Sequence, residues 1–220
     1  MDAELVAMQL FSGVALGAIL IMVALGLSII VGMLGVVNFA LGAFFMVGAY
    51  AGLWVASLTG SFWWGLLIAP IAIGLFGMAI ERFLIRPLYK RSVDDPLLLT
   101  FGLGYVLVEA VRIVFGSDGI PFQTPSQLAG VAALGIGFFP SYRLIVGGGG
   151  VGVLAEAFVV TVIGGMGSLV GAVVAGLLVG VAISMTALFA PEMATIVMFA
   201  LMALVLLVRP QGLFGKPGRA

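Results

Sequence analysis

The sequence predicts an all-α fold, a polytopic integral membrane helical bundle of about seven spans with a periplasmic N-terminus and a cytoplasmic C-terminus. Three observations predict it. Apolar residues make up 63% of the chain and charged residues 8%, with a mean hydropathy of +1.34, against roughly 45 to 50% and about 25% in soluble domains. The apolar residues fall in charge-free runs of about 20, the length that crosses a hydrocarbon core of about 30 Å as a helix. The basic residues collect in a central segment and in the C-terminal tail, as expected of segments left on the positive side of a membrane.

In chain order, Met-Asp-Ala-Glu is acidic where a cleavable signal peptide is positive, and Leu10 to Val31 then reads as an uncleaved first span. Phe39 to Ser57 is the second span. A tight turn follows at Leu58 to Phe62, flanked by Trp54, Trp63 and Trp64, an aromatic belt at one interface. Trp63 to Ile80 is the third span, with Pro70 inside it. Glu81 to Pro96 carries four of the nine basic residues and reads as a cytoplasmic loop. Leu97 to Phe115 is the fourth span; Glu109 and Arg112 stand three apart in it, spaced to pair on one helix face near its end.

Gly116 to Pro140 is rich in Gly, Pro, Ser and Gln and is expected as an outside loop. Arg143 to Gly164 is either one weak span or a span interrupted by a linker or internal deletion at Gly147 to Gly150, because each glycine costs a helix about 1 kcal/mol relative to alanine. Leu169 to Phe189 and Met193 to Val208 complete the set, and Arg209 onward is a basic cytoplasmic tail. The chain reads as a single transmembrane domain over 1–220.

Composition also excludes chemistry. Nine basic and nine acidic residues cancel, and no basic stripe suggests nucleic acid as a partner. With no Cys and no His there are no thiolate nucleophiles, no imidazole ligands and no histidine base, so no catalytic, cofactor-binding or metal site is expected. Ser28, Ser168 and Ser184 have no base to activate them, and no Walker-type phosphate loop is present, so the chain is not its own ATPase. A proton-driven carrier would need carboxylates deep in its spans, where Glu109 and Glu156 are the candidates.

The stretch most unlike plain membrane helix is Gly32 to Tyr50, which holds four glycines and Asn38, the one asparagine in the chain. A broken helix survives in hydrocarbon where protein or a watery cavity satisfies the freed backbone groups. Asn38, Phe39 and Gly42 are therefore candidates to line a substrate pathway; the competing reading is small-residue packing with Asn as interhelical glue. A second break at Gly164, Gly165, Gly167 and Ser168 joins them. Ile30-Val-Gly-Met-Leu-Gly and Val162-Ile-Gly-Gly-Met-Gly are alike, as broken helices in two repeats would be, although 33 glycines make chance similarity a competitor.

Asn38-Phe-Ala-Leu-Gly42, Met46-Val-Gly-Ala-Tyr50, Glu81-Arg-Phe-Leu-Ile-Arg-Pro-Leu88, Phe101-Gly-Leu-Gly104, Gly164-Gly-Met-Gly-Ser168 and the closing Arg209-Pro-Gln-Gly-Leu-Phe-Gly215 together resemble the branched-chain amino-acid ABC transporter permeases of the LivH type. The order and spacing agree over nearly the whole chain. The resemblance implies a multi-pass subunit of a bacterial importer in the cytoplasmic (inner) membrane, surrounded by membrane lipid. Its implied partners are a second homologous permease, two cytoplasmic ATPase subunits that use the ATP, and a periplasmic substrate-binding protein. Implied substrates are branched-chain amino acids or related small polar solutes. Glu81, Arg82, Arg86, Lys90 and Arg91 become candidates for coupling to the ATPases through the cytoplasmic loop.

Two departures from the family stand out. Leu41 occupies the place of a usual His. Between Val146 and Glu156, where family members carry further helices and a short ATPase-docking helix, this chain has Gly147 to Gly150. A shortened, uncoupled family member that packs in the membrane is thus an alternative to a working importer subunit, and a stand-alone channel or carrier is a third reading.

Overall fold

The computed structural model describes residues 3–34, 38–89, 94–116, 120–121, 143–144 and 148–215. Its helices are α1 (Ala3–Leu34), α2 (Leu41–Thr59), α3 (Phe62–Ile80), α4 (Asp94–Phe115), α5 (Gly148–Gly164), α6 (Leu169–Phe189) and α7 (Ala194–Val208). A short antiparallel pair sets Ile120 opposite Leu144 and Pro121 opposite Arg143. Among the described residues six helices are long and apolar enough to cross a membrane, which makes the chain a polytopic helical membrane protein. Within the weak span expected over Arg143 to Gly164 the structure has the 17-residue helix Gly148–Gly164, whose apolar stretch among the described residues is Gly152–Gly164. The outside loop expected over Gly116 to Pro140 lies outside the described residues apart from Gly116, Ile120 and Pro121.

The helices divide into two compact units, Met1–Val37 with Val153–Ala220, and Asn38–Gly152. In the first, α1 and α6 lie antiparallel with their backbones in contact. A Cβ on Gly13 would stand 2.8 Å from the Val181 Cα, one on Gly17 2.9 Å from the Gly176 carbonyl oxygen, and one on Gly180 2.6 Å from the Gly13 carbonyl oxygen. Gly13 and Gly17, like Gly176 and Gly180, are four apart, so each pair opens one groove on its helix. Between membrane helices lipid tails offer no hydrophobic drive, and association depends on such close approach and on polar pins.

The pins are present. Gln9 Nε2 donates to the Ser184 carbonyl at 2.6 Å while Ser184 Oγ donates to the Gln9 carbonyl at 2.7 Å. Thr161 Oγ1 reaches the Ala24 carbonyl at 3.4 Å and its own-helix Ala157 carbonyl at 2.8 Å. Around them Leu20 and Ala24 of α1, Val159, Val160 and Ile163 of α5, Ala172, Ala175 and Val179 of α6 and Met198 of α7 close a buried core. Ser28, also buried, has an Oγ with no hydrogen-bond partner among the described residues.

The second unit is built on α2. On one side Gly48 and Gly52 meet α3: a Cβ on Gly65 would lie 2.6 Å from the Gly52 carbonyl oxygen, and one on Gly48 3.7 Å from Ile73. On the other side Ala43, Met46 and Tyr50 pack on Leu107, Val108 and Val111 of α4. The Tyr50 ring lies 4.8 Å from that of Phe115, and Phe39 meets Phe101, so α2 and α4 run parallel. Trp54, Trp63 and Trp64 are all exposed beside the α2–α3 turn, which closes at Gly60 with φ 67°. Pro70 is accommodated inside α3. Arg112 and Glu109 form the expected pair at 2.7 Å.

The segment expected as a loop from Glu81 is helical as far as Leu88, a correction to that reading. α3 passes into a π-helical turn, Glu81–Ile85, and a 3₁₀ turn, Arg86–Leu88. No Gly or Pro stands between Glu81 and Arg86, and at Pro87 proline is tolerated in the opening turn of a helix because the N–H it lacks has no partner there. In the π turn the Arg86 N–H donates to the Glu81 carbonyl. The wider turn sets Ile80 and Ile85, five apart, on the buried side. Beyond it, α4 begins at Asp94, earlier than expected, with Asp94 and Asp95 in the first turn where negative charge favours the helix dipole.

Gly180→Ala is expected to destabilise the purified chain by about 1 to 3 kcal/mol through overpacking. Gly26→Ala, whose added Cβ meets nothing within 4 Å, should be tolerated. Ser28→Ala removes an unsatisfied buried hydroxyl and should be neutral to stabilising, within about 0.5 kcal/mol. Thermal unfolding in one detergent ranks the three; a Gly26→Ala loss equal to that of Gly180→Ala would refute the backbone-contact account.

Candidate substrate pathway

Asn38 opens α2 through its side chain. Its Oδ1 accepts the Ala40 N–H at 2.9 Å, an Asx turn, and its carbonyl accepts the Leu41 N–H at 3.3 Å. The preceding amide is satisfied by another helix: Thr100 Oγ1 on α4 accepts the Phe39 N–H at 3.3 Å and donates to the Leu97 carbonyl at 3.1 Å. Thr100 is buried. Gly104 lies beside this turn, where a Cβ would make an ordinary contact with the Ala40 Cα at 3.6 Å. Phe39, Phe101 and Tyr105 then form an exposed edge-to-face series with ring separations of 6.2 and 5.1 Å. Gly42 is buried in the first turn of α2. The turn commits the Asn38 oxygen, and among the described residues its Nδ2 donates to none.

The second break is a tight joint between α5 and α6. Gly165 and Gly167 take φ values of 98° and 80°, which a side chain would strain. Ser168 is the N-cap of α6: its Oγ accepts the Gly171 N–H at 3.1 Å, and its own N–H donates to the Gly165 carbonyl at 2.9 Å. Gly164 packs directly on Gly171. Gly32, near the end of α1, reaches the same joint, where a Cβ on it would lie 3.2 Å from the Gly167 Cα. The two similar glycine stretches thus touch each other.

The joint is also bound by the C-terminal tail. Leu213 and Phe214 donate their N–H groups to the Ile163 and Gly164 carbonyls at 2.8 and 3.0 Å. Gly212, at φ 77°, lies so close that a Cβ on it would stand 2.6 Å from the Gly165 Cα. Carbonyls at a helix end need donors from outside the helix, and here the Arg209-Pro-Gln-Gly-Leu-Phe-Gly215 segment supplies them.

Of the charged candidates, Glu81, Arg82 and Arg86 lie on the helical extension of α3, and Lys90 and Arg91 lie outside the described residues. Arg82 and Arg86 are exposed beside exposed Phe83 and Leu84. Burial, reinforced by the Glu81 carboxylate, holds the Tyr89 phenol above its ordinary pKa, with Arg86 acting in the opposite sense.

Asn38, Phe39 and Gly42 therefore belong to one compact unit, and Gly164, Gly165, Gly167 and Ser168 to the other. Sequence reasoning passed over Thr100, which seats the Asn38 turn, and over the tail as partner of the second break. Thr100 had a signal: it is a lone hydroxyl in the apolar run that begins α4, four residues before a glycine. The tail had none, because nothing local records a pairing across about fifty residues.

The family described as the branched-chain amino acid transport system / permease component matches residues 9–128. Among curated relatives, the high-affinity branched-chain amino acid transport system permease protein BraD of Pseudomonas aeruginosa is 26% identical, with 95% of each chain covered. The LivH permease proteins of the same description from Salmonella typhimurium and Escherichia coli strain K12 are 25% and 24% identical over the same shares. The match to BraD runs over 299 positions, whereas 95% of this 220-residue chain is about 209, so about 90 of those positions have no counterpart here. No solved structure matches the chain. Matched over more than half its length, the chain belongs to the branched-chain amino acid transport permease family.

Proposed function

We propose that the chain is the membrane-spanning permease subunit of an ABC importer for branched-chain amino acids or related small polar solutes, and forms an alternating-access pathway with a second permease. Separate ATPase subunits power it and a periplasmic binding protein delivers substrate. The N-terminus faces the periplasm, and the Glu81 segment and the tail face the cytoplasm, in the bacterial inner membrane. The observation that carries this reading is family membership, with relatives covered over 95% of their length. The chain's own residues supply two backbone joints, at Asn38 and at Gly164 to Ser168, of the kind that membrane transporters place beside a passage.

The uncommitted donors of the Asn38 amide are the polar groups this reading assigns to the pathway. A solute carboxylate or carbonyl is the matching acceptor. Exposed apolar rings of Phe39 and Phe101 flank the turn and suit an aliphatic side chain. Uptake of labelled leucine by vesicles holding the assembled importer should fall by about tenfold for Asn38→Leu and stay near normal for Gly52→Ala. The added Cβ at Gly52 makes an ordinary 3.7 Å contact with Ala69. Equal, mild effects would return Asn38 to a purely structural role.

A second reading is favoured by the roughly 90 positions present in the relatives and missing here. If the ATPase-docking helix is among them, the chain packs with a partner permease but is not driven, since an effector shifts an equilibrium only through contacts that differ between states. Co-purification with the ATPase subunits separates the two. Capture and stimulation of the ATPases by the chain as it stands support the importer, with Arg82 and Arg86 as coupling groups. Capture only after a docking segment is inserted at Gly147 to Gly150 supports the uncoupled form.

A further inference from the structure

We infer that the tail segment Arg209–Gly215 is a clasp that positions the α5–α6 joint, so that the geometry of Gly164 to Ser168 against α1 is set by the C-terminus of α7. The inference stands on contacts the family assignment does not supply. Ile163 and Gly164 are buried, and their carbonyls end a helix where neither water nor a further turn of α5 can serve them. The Leu213 and Phe214 amides serve them.

Three glycines make this possible. Gly165 and Gly212 face each other with no room for a methyl between them, and a Cβ on Gly165 would stand 2.7 Å from the Gly215 Cα. The tail holds its own shape as it docks: Gly212 N–H donates to the Arg209 carbonyl at 2.9 Å, and Arg209 Nη1 reaches the Leu213 carbonyl at 3.4 Å. Arg209 N–H in turn donates to the Val205 carbonyl at 2.7 Å, so the clasp continues directly from α7. α5 depends on this end. Its other end begins among Gly148, Gly149 and Gly150, poor helix formers. A displacement of α7 is therefore transmitted to Gly165 and Gly167, and through Gly167 to Gly32 of α1.

Phe214→Pro deletes the amide that Gly164 uses, and Gly212→Ala forces the two backbones apart; Phe214→Leu keeps the amide and an apolar side chain. Hydrogen exchange of the full chain in detergent is expected to rise by about tenfold over 157–172 in the first two variants, with 13–27 unchanged and Phe214→Leu like the parent. Unchanged exchange over 157–172 overturns the clasp. Equal loss over both stretches, or failure of both variants to insert, also overturns it, because the effect is assigned to the joint alone.

The consequence for transport rests on the pathway reading above. In the assembled importer both disruptive variants should lose about tenfold in leucine uptake while still co-purifying with the partner permease, and Phe214→Leu should restore it. Raised exchange with normal uptake overturns the positioning role. A parent chain that takes up no leucine sinks the importer reading instead and leaves the exchange result to judge the clasp.

Discussion

A backbone N–H or carbonyl at the end of a membrane helix has no solvent to turn to, and the architecture of this chain follows from where those groups find partners. Within the helices the question answers itself. At the joints it does not, and each joint described here has its own solution. α2 starts on an Asn side chain and a Thr from α4, α6 starts on Ser168, and α5 ends on amides borrowed from the tail. Glycine is what brings the partners near enough. Where two backbones must approach to hydrogen-bonding or van der Waals distance, any Cβ stands in the way, as the Gly164–Gly171 and Gly165–Gly212 contacts illustrate.

Much of the fold was legible because hydrocarbon leaves few options. Charge-free runs of the right length became helices, and Leu169 to Phe189 matches α6 residue for residue. The spacing of Glu109 and Arg112 announced their ion pair. The charged segment misled, because charge argues for an interface and says nothing about whether the backbone there is coiled. Glu81 to Leu88 carries on the helix that precedes it. The weak span expected over Arg143 to Gly164 corresponds to α5, which starts among the glycines at Gly148. The Gly13–Gly17 and Gly176–Gly180 spacing was readable as a packing seam, yet amid 33 glycines no single pair stands out before its partner helix is known.

The candidate site was legible in part. Asn38 drew notice as the one amide of its kind among apolar neighbours, and it does organise a turn. Its seat on Thr100 is a tertiary contact, of which the sequence carried only the lone hydroxyl. The glycine stretch at Gly164 and the closing Arg-Pro-Gln-Gly-Leu-Phe-Gly read as two separate signatures, and in three dimensions they are one construction. That union gives a physical reason for the tail's unusual composition: a segment that must lie against a glycine joint, donate two amides and turn at Gly212 has little latitude in sequence.

The unequal helix lengths carry a consequence for the surrounding bilayer. α1 extends over 32 residues, about 48 Å at 1.5 Å per residue, while α5 has 17, about 26 Å at the same rise. No single lipid thickness suits both, and helices longer than the hydrocarbon respond by tilting. α5 turns Val159, Val160 and Ile163 into protein, so its shortness is matched largely by neighbouring side chains and not by acyl chains. Lipid thickness therefore acts on this chain chiefly through the tilt of α1. Because the glycine seam fastens α1 to α6 along its length, a thinner or thicker membrane would rotate the pair together, carrying the α5–α6 joint with it.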